Sequence, residues 1–130
     1  MRTKKSWIVL TVFVVALIIG AAKLALAQDP LEVGPDIYKL LFENDRVRAM
    51  QVTFKPGDKI AMHSHPDHTT CIVTGGTLRL SYPDGTTKEL AGNPGDTFWI
   101  PAETHAAENI GTTEVKVVVI ELKESAPPAE

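Results

Sequence analysis

The chain holds a single cysteine among 130 residues, so no disulfide can form within it and the fold must rest on its apolar core. It lacks any 3.6-residue apolar stripe of useful length beyond residue 36, which excludes a helical bundle. There is no excess of basic charge. Residues 28–130 carry nine basic against sixteen acidic residues, a net charge of −7, and that argues against a nucleic-acid partner, which needs a basic footprint to meet phosphates. No internal repeat, low-complexity stretch or phosphate-binding loop occurs, and no general base or nucleophile stands out. The length leaves no room for a second domain.

Acidic residues are also missing from residues 1–27, which hold 19 of the chain's hydrophobic residues together with Arg2, Lys4, Lys5 and Lys23. A basic start, an apolar run from Trp7 to Ala22 and Ala25-Leu26-Ala27 before Gln28 make the three-part layout of a secretory signal peptide. The run is short of the ~20 residues that span a bilayer. The alternative is an uncleaved anchor, with residues 7–27 tilted across the membrane and Lys23 snorkelling toward the headgroups. No cysteine follows the run, so a lipoprotein anchor is excluded. Either way the remainder is expected outside the cytoplasm, periplasmic or secreted.

Residues 28–35 read as a linker, 36–122 as one all-β domain and 123–130 as a flexible tail. Short runs of strand formers alternate with turn signals at 8 to 12 residue spacing. Glu43-Asn-Asp45, Lys55-Pro-Gly57, Pro66-Asp67, Gly75-Gly76, Pro83-Asp-Gly85, Gly92-Asn-Pro-Gly95, Pro101 and Ile110-Gly111 separate eight or nine candidate strands, the fold of a double-sheet jelly roll. Met50, Phe54, Met62, Phe98 and Trp99 are expected in the core, with one or two of them lining a cavity. The last strand, with Val115, Val117 and Val119 alternating with Lys116, Val118 and Ile120, is expected to be buried on much of both faces.

All four histidines lie between residues 63 and 105, three of them in His63-Ser-His65-Pro-Asp-His68. A strand has a side-chain period of two, so His63 and His65 project from one face and can converge on one ion. Two imidazoles on a strand supply half of a coordination shell, and His105 is the candidate third ligand. A pair of surface histidines in a hairpin is the other reading of His63 and His65. If the strand beginning at Thr69 keeps their register, Thr69, Cys71 and Val73 face the same interior, and Cys71 then stands near the metal; the alternative is a small buried hydrophobe.

Gly57-x5-His63-x-His65, with Gly76 eleven positions further on, resembles the first motif of the cupin family, and Gly95-x5-Pro101-x-Glu-Thr-His105-x3-Asn109 resembles the second. The stretch from His63 to Lys123 is most similar to small single-domain cupins of the type-2, RmlC-like class, some of them named as beta-alanine degradation proteins. The resemblance implies a single-domain cupin double-stranded β-helix, a jelly-roll barrel, with a metal held by two histidines and a glutamate from the first motif and a histidine from the second. His63, His65 and His105 match by position. The glutamate does not: it should fall four or five residues after His65, where Thr69 and Thr70 stand. The fourth position is then open to solvent or filled from elsewhere, by His68 from the Pro66-Asp67 turn or by Glu103, where the second motif has glycine. His68 is otherwise read as a solvated turn residue. The second motif is also one residue short between Pro101 and His105.

The cofactor expected is a divalent transition metal, iron, manganese, zinc, nickel or copper, since three histidines suit each to differing degrees. Three histidines on ferrous iron leave three octahedral positions vacant, which suits a metal-dependent oxygenase-type enzyme acting on a small molecule. The alternatives are a non-catalytic module binding a metal or small molecule, and a structural barrel whose histidines bind nothing. The resemblance alone suggests a homodimer. Contact with a membrane is expected only through residues 7–27 if these are retained.

Overall fold

A computed structural model describes residues 28–124; the expected leader at 1–27 and residues 125–130 of the expected tail lie outside the described residues. No helix of the described residues is long and apolar enough to cross a membrane.

The order is α1 (Pro30–Val33), β1 (Tyr38–Glu43), β2 (Val47–Phe54), β3 (Lys59–His65), β4 (His68–Thr74), β5 (Gly76–Ser81), β6 (Thr87–Gly92), β7 (Thr97–Ile100), β8 (Glu103–Asn109) and β9 (Val115–Leu122). Nine strands form where eight or nine are expected, because the turn signals break the ladder at residues that cannot extend it. Gly57 and Gly95 sit at φ 84° and 95°, which closes the turns before β3 and β7 in a conformation that L side chains rarely adopt.

Residues 28–35 differ from the expected linker. Asp29 caps α1 by accepting from the Leu31 amide at 2.8 Å, Pro30 occupies the first turn, and the Gln28 carbonyl accepts from the Ser64 amide at 3.0 Å. This segment therefore docks on β3, between the two histidines of that strand.

Two antiparallel sheets pack face to face, one ordered β1-β2-β9-β4-β7 and the other β3-β8-β5-β6. Period-two alternation sends Met50, Val52 and Phe54 of β2 and Val115, Val117 and Val119 of β9 inward, against Ile60, Leu80 and Ala107 of the opposite sheet. The other face of β9 is half-buried. Asn109 is 1% exposed, and its amide donates to the carbonyls of Phe54 and Thr113 while its oxygen accepts from Gly111. The last residue of the second motif thus ties the end of β8 to the neighbouring loops.

Two breaks in the alternation decide which side chains face inward. In β3, Ile60 pairs with Ala107 and His63 with His105, three steps against two, so one extra residue forms a β-bulge. The bulge lets Ile60 and His63 both point inward despite their odd spacing. Met62, expected in the core, is consequently 38% exposed. The second break is the Pro66-Asp67 corner, where the chain leaves one sheet for the other.

Candidate metal centre

His63 and His65 lie on the inner face of β3, and His105 is the direct cross-strand partner of His63. Directly opposed residues have Cβ atoms ~4.5–5.5 Å apart, so three imidazoles are forced together by register alone. The ring centroids of His63 and His65 are 4.8 Å apart, those of His63 and His105 4.8 Å, and those of His65 and His105 5.3 Å. One ligand atom from each lies within 4.8 Å of the others, and all three residues are buried.

Every histidine is oriented by its Nδ1 atom. His63 Nδ1 donates to the Ala61 carbonyl at 2.8 Å, made available by the bulge. His65 Nδ1 donates to Glu121 Oε1 at 2.6 Å, His68 Nδ1 to the Pro66 carbonyl at 2.8 Å, and His105 Nδ1 to Glu103 Oε1 at 2.7 Å. Each partner is a carbonyl or a carboxylate oxygen that accepts. We therefore assign the proton to Nδ1 in all four rings, which leaves the Nε2 lone pairs free to ligate. Burial, reinforced by the neighbouring imidazoles, holds His63 down at about 4 and His105 at about 3. Both rings are neutral at neutral pH, and neutral imidazole is what binds a metal. The donor set and its outer hydrogen bonds fit a transition-metal ion.

Glu121 is the residue that sequence reasoning missed. It is 2% exposed on β9, cross-strand from both His68 and Arg48. Arg48 donates to Glu121 Oε2 from two nitrogens, at 2.8 and 2.7 Å, and pairs with Asp29 at the head of α1. Burial alone pushes the Glu121 carboxyl up, but the hydrogen bonds from His65 and Arg48 outweigh it and bring it net below its ordinary value. A signal was present: Glu121 continues the inward phase of Val115, Val117 and Val119. Tyr38 carried none, yet it is buried with its hydroxyl 3.3 Å from His63 Nε2 and 3.4 Å from His65 Nε2. Replacing Glu121 with glutamine is expected to lower metal affinity by ~10–100-fold while the protein stays folded, because the oriented charge behind His65 is lost. Competition with a chromophoric chelator measures this; an unchanged affinity sinks the role.

Several expectations for β4 are corrected. The Pro66-Asp67 corner shifts the phase, so His68, Thr70 and Ile72 face the interior and Thr69 and Cys71 face away. Of the two residues at the expected glutamate position, Thr70 lines the cavity, whereas Thr69 hydrogen-bonds the Phe98 carbonyl on the exposed side. Cys71 is half-buried on that same side, away from the histidines. His68 is not a solvated turn residue: it begins β4, is 2% exposed, and its ring stands 4.9 Å from that of His65. Glu103 serves as the hydrogen-bond partner of His105. On β7, Phe98 and Trp99, both expected in the core, are 46% and 59% exposed, and both border the cavity.

His65, His68 and His105 form the polar end of a cavity of about 270 Å³ whose walls include Val52, Phe54, Leu80, Leu90, Val117 and Val119. Tyr38, His65, His68, Tyr82, Glu103 and His105 line the same space. An apolar chamber with a few convergent polar groups is the usual form of a small-molecule site.

Comparison with known proteins matches residues 50–121 to the family described as the cupin domain. The (R)-mandelonitrile lyase of Granulicella tundricola is 37% identical over 78 residues, covering 59% of this chain and 53% of the relative. The chain thus spans about half the length of that curated relative. This named relative is not a beta-alanine degradation protein, so the finer likeness drawn from sequence is not carried further. Among solved structures, a cupin domain from Bordetella pertussis superposes with a TM-score of 0.62 at 29% identity, over 67% of this chain and 92% of that one. A polyketide cyclase from Streptomyces resistomycificus gives 0.52 at 24% identity, over 69% of this chain and 66% of that one, a likeness of fold alone.

Proposed function

The chain belongs to the cupin domain family, and on that premise we propose that His63, His65 and His105 hold a divalent transition metal in an enzyme acting on a small, largely apolar molecule. One observation carries this reading: three buried histidines, each with its Nδ1 donating elsewhere, bring ligand atoms within 4.8 Å of one another, and two of them, His65 and His105, line an apolar cavity. An apolar cavity of ~150 Å³ accepts a benzene ring. At about 270 Å³ this one suits a ring with a short polar substituent directed at the histidines.

The likeness to a mandelonitrile lyase makes α-hydroxynitrile cleavage the first reaction to test. In that reaction a base takes the hydroxyl proton, the bond to the nitrile carbon breaks as the carbonyl forms, and cyanide takes up a proton and leaves as hydrogen cyanide. His68 is the group of this chain suited to accept the proton, because its Nε2 has no protein partner among the described residues and burial, by disfavouring the charged form, keeps the ring neutral with that lone pair available. Tyr82, whose ring lies 6.4 Å from that of His105, borders the same space. A bound metal supplies Lewis-acid polarisation of the substrate oxygen. An oxygenase-type reaction is the second reading, favoured by a donor set of three protein nitrogens that leaves positions open.

The test is to strip the full chain of metal, reload it singly with manganese, iron, zinc, nickel or copper, and follow benzaldehyde release from (R)-mandelonitrile together with oxygen uptake. Metal-dependent release that disappears in His65→Ala is the expected result. Oxygen uptake without aldehyde favours the oxygenase reading, tight metal without turnover favours a binding module, and failure to bind any of the five ions rejects the site. We also place the barrel outside the cytoplasm, on the basic, apolar and small-residue layout of residues 1–27, and take a homodimer as its assembly from the family resemblance.

A further inference from the structure

We propose that Tyr38 Oη is a fourth protein donor to the ion held by His63, His65 and His105, completing from β1 the coordination that lacks its glutamate. This rests on the three-histidine reading above. In a tetrahedral site with metal–nitrogen bonds of ~2.0–2.1 Å, neighbouring donor atoms stand ~3.3–3.4 Å apart. Tyr38 Oη is 3.3 Å from His63 Nε2 and 3.4 Å from His65 Nε2. The oxygen therefore stands at the edge length that such an ion requires from two of the three nitrogens.

The count of protons points the same way. Both Nε2 atoms are lone pairs, since both Nδ1 atoms donate elsewhere. The phenol has one proton for two acceptors and no other partner among the described residues. One of its two contacts must bring lone pair against lone pair in a buried site, where such an arrangement is costly. A cation among the three atoms removes that conflict.

The ring is held there. It packs edge-on against His63 at 5.6 Å and tilted against His65 at 5.9 Å, and the Tyr38 amide donates to the Gly34 carbonyl at 2.8 Å just after α1. His68 is the weaker candidate, because its ring neighbours His65 alone among the three and its nitrogens fall outside the converging group.

The chain has two tyrosines, Tyr38 and Tyr82, which gives the test an internal control. Full chain, stripped of metal, is titrated with copper(II), whose phenolate complexes absorb in the visible through ligand-to-metal charge transfer. The expected result is a visible band that saturates at one equivalent, shows tyrosinate ring modes in resonance Raman, and is lost in Tyr38→Phe but kept in Tyr82→Phe. Tyr38→Phe retains one copper with an affinity ~10–100-fold weaker and an unchanged circular dichroism spectrum. One equivalent bound through the histidines with no such band, or a band that persists in Tyr38→Phe, overturns the proposal and leaves the three-histidine site standing. Absence of copper binding overturns both.

Discussion

His105→Ala is expected to lower metal affinity by more than 100-fold, beyond the ~10–100-fold typical for loss of an outer-shell partner. His105 is the only one of the three ligand candidates that comes from β8, and its Nε2 has no competing protein partner among the described residues. His63 and His65 alone offer two nitrogens from one strand, half of a tetrahedral shell. The substitution also leaves Glu103 without its imidazole partner, but Glu103 is not deeply buried and can turn to water. Folding is therefore expected to survive, with a circular dichroism spectrum like the parent's, so that calorimetric titration reads the site rather than the fold. Retention of parental affinity by His105→Ala assigns the metal to other residues.

A large effect is also expected from acid. His63 and His105 hold folded-state values of about 4 and about 3 through burial, whereas an unfolded histidine titrates near 6.5. Between those limits the unfolded chain binds protons that the folded chain does not, so stability falls as pH falls. His68, also lowered by burial, acts in the same direction. The metal-free protein is expected to lose about 3 kcal/mol between pH 7 and pH 5, a large part of the ~5–15 kcal/mol that a domain possesses. In thermal melts this appears as a drop of ~10 °C or more for a barrel of this size. Metal opposes it, since an ion on the neutral nitrogens stabilises the folded state by ~2.7 kcal/mol at a hundred times its dissociation constant. Zinc is therefore expected to raise the melting temperature at pH 6 in the parent and not in His63→Ala. A melting temperature that stays flat from pH 7 to pH 5 without metal contradicts the buried, neutral state of these rings.

The strands and the three histidines were legible in the sequence because both are written in local patterns. Turn residues at regular spacing mark the strand ends, and a period of two puts His63 and His65 on one face. The phase of that period was not legible. One extra residue between Ile60 and His63 turns Met62 outward, and the Pro66-Asp67 corner turns Thr69 and Cys71 outward and His68 inward. Neither change alters composition or hydropathy, so only the pairing of strands reveals it. Glu121 and Tyr38 were hidden by distance, lying 56 and 27 residues from His65. Glu121 kept a local trace as a charged residue in the inward phase of an apolar strand. Tyr38 kept none, because an aromatic residue beginning a strand is ordinary core material.

Anomalous diffraction from crystals of the zinc-loaded protein tests the metal centre most directly. The expected result is one strong peak ~2.0–2.1 Å from Nε2 of each of His63, His65 and His105, facing the cavity. A peak elsewhere on the molecule, or none within reach of these three nitrogens at full zinc loading, contradicts it.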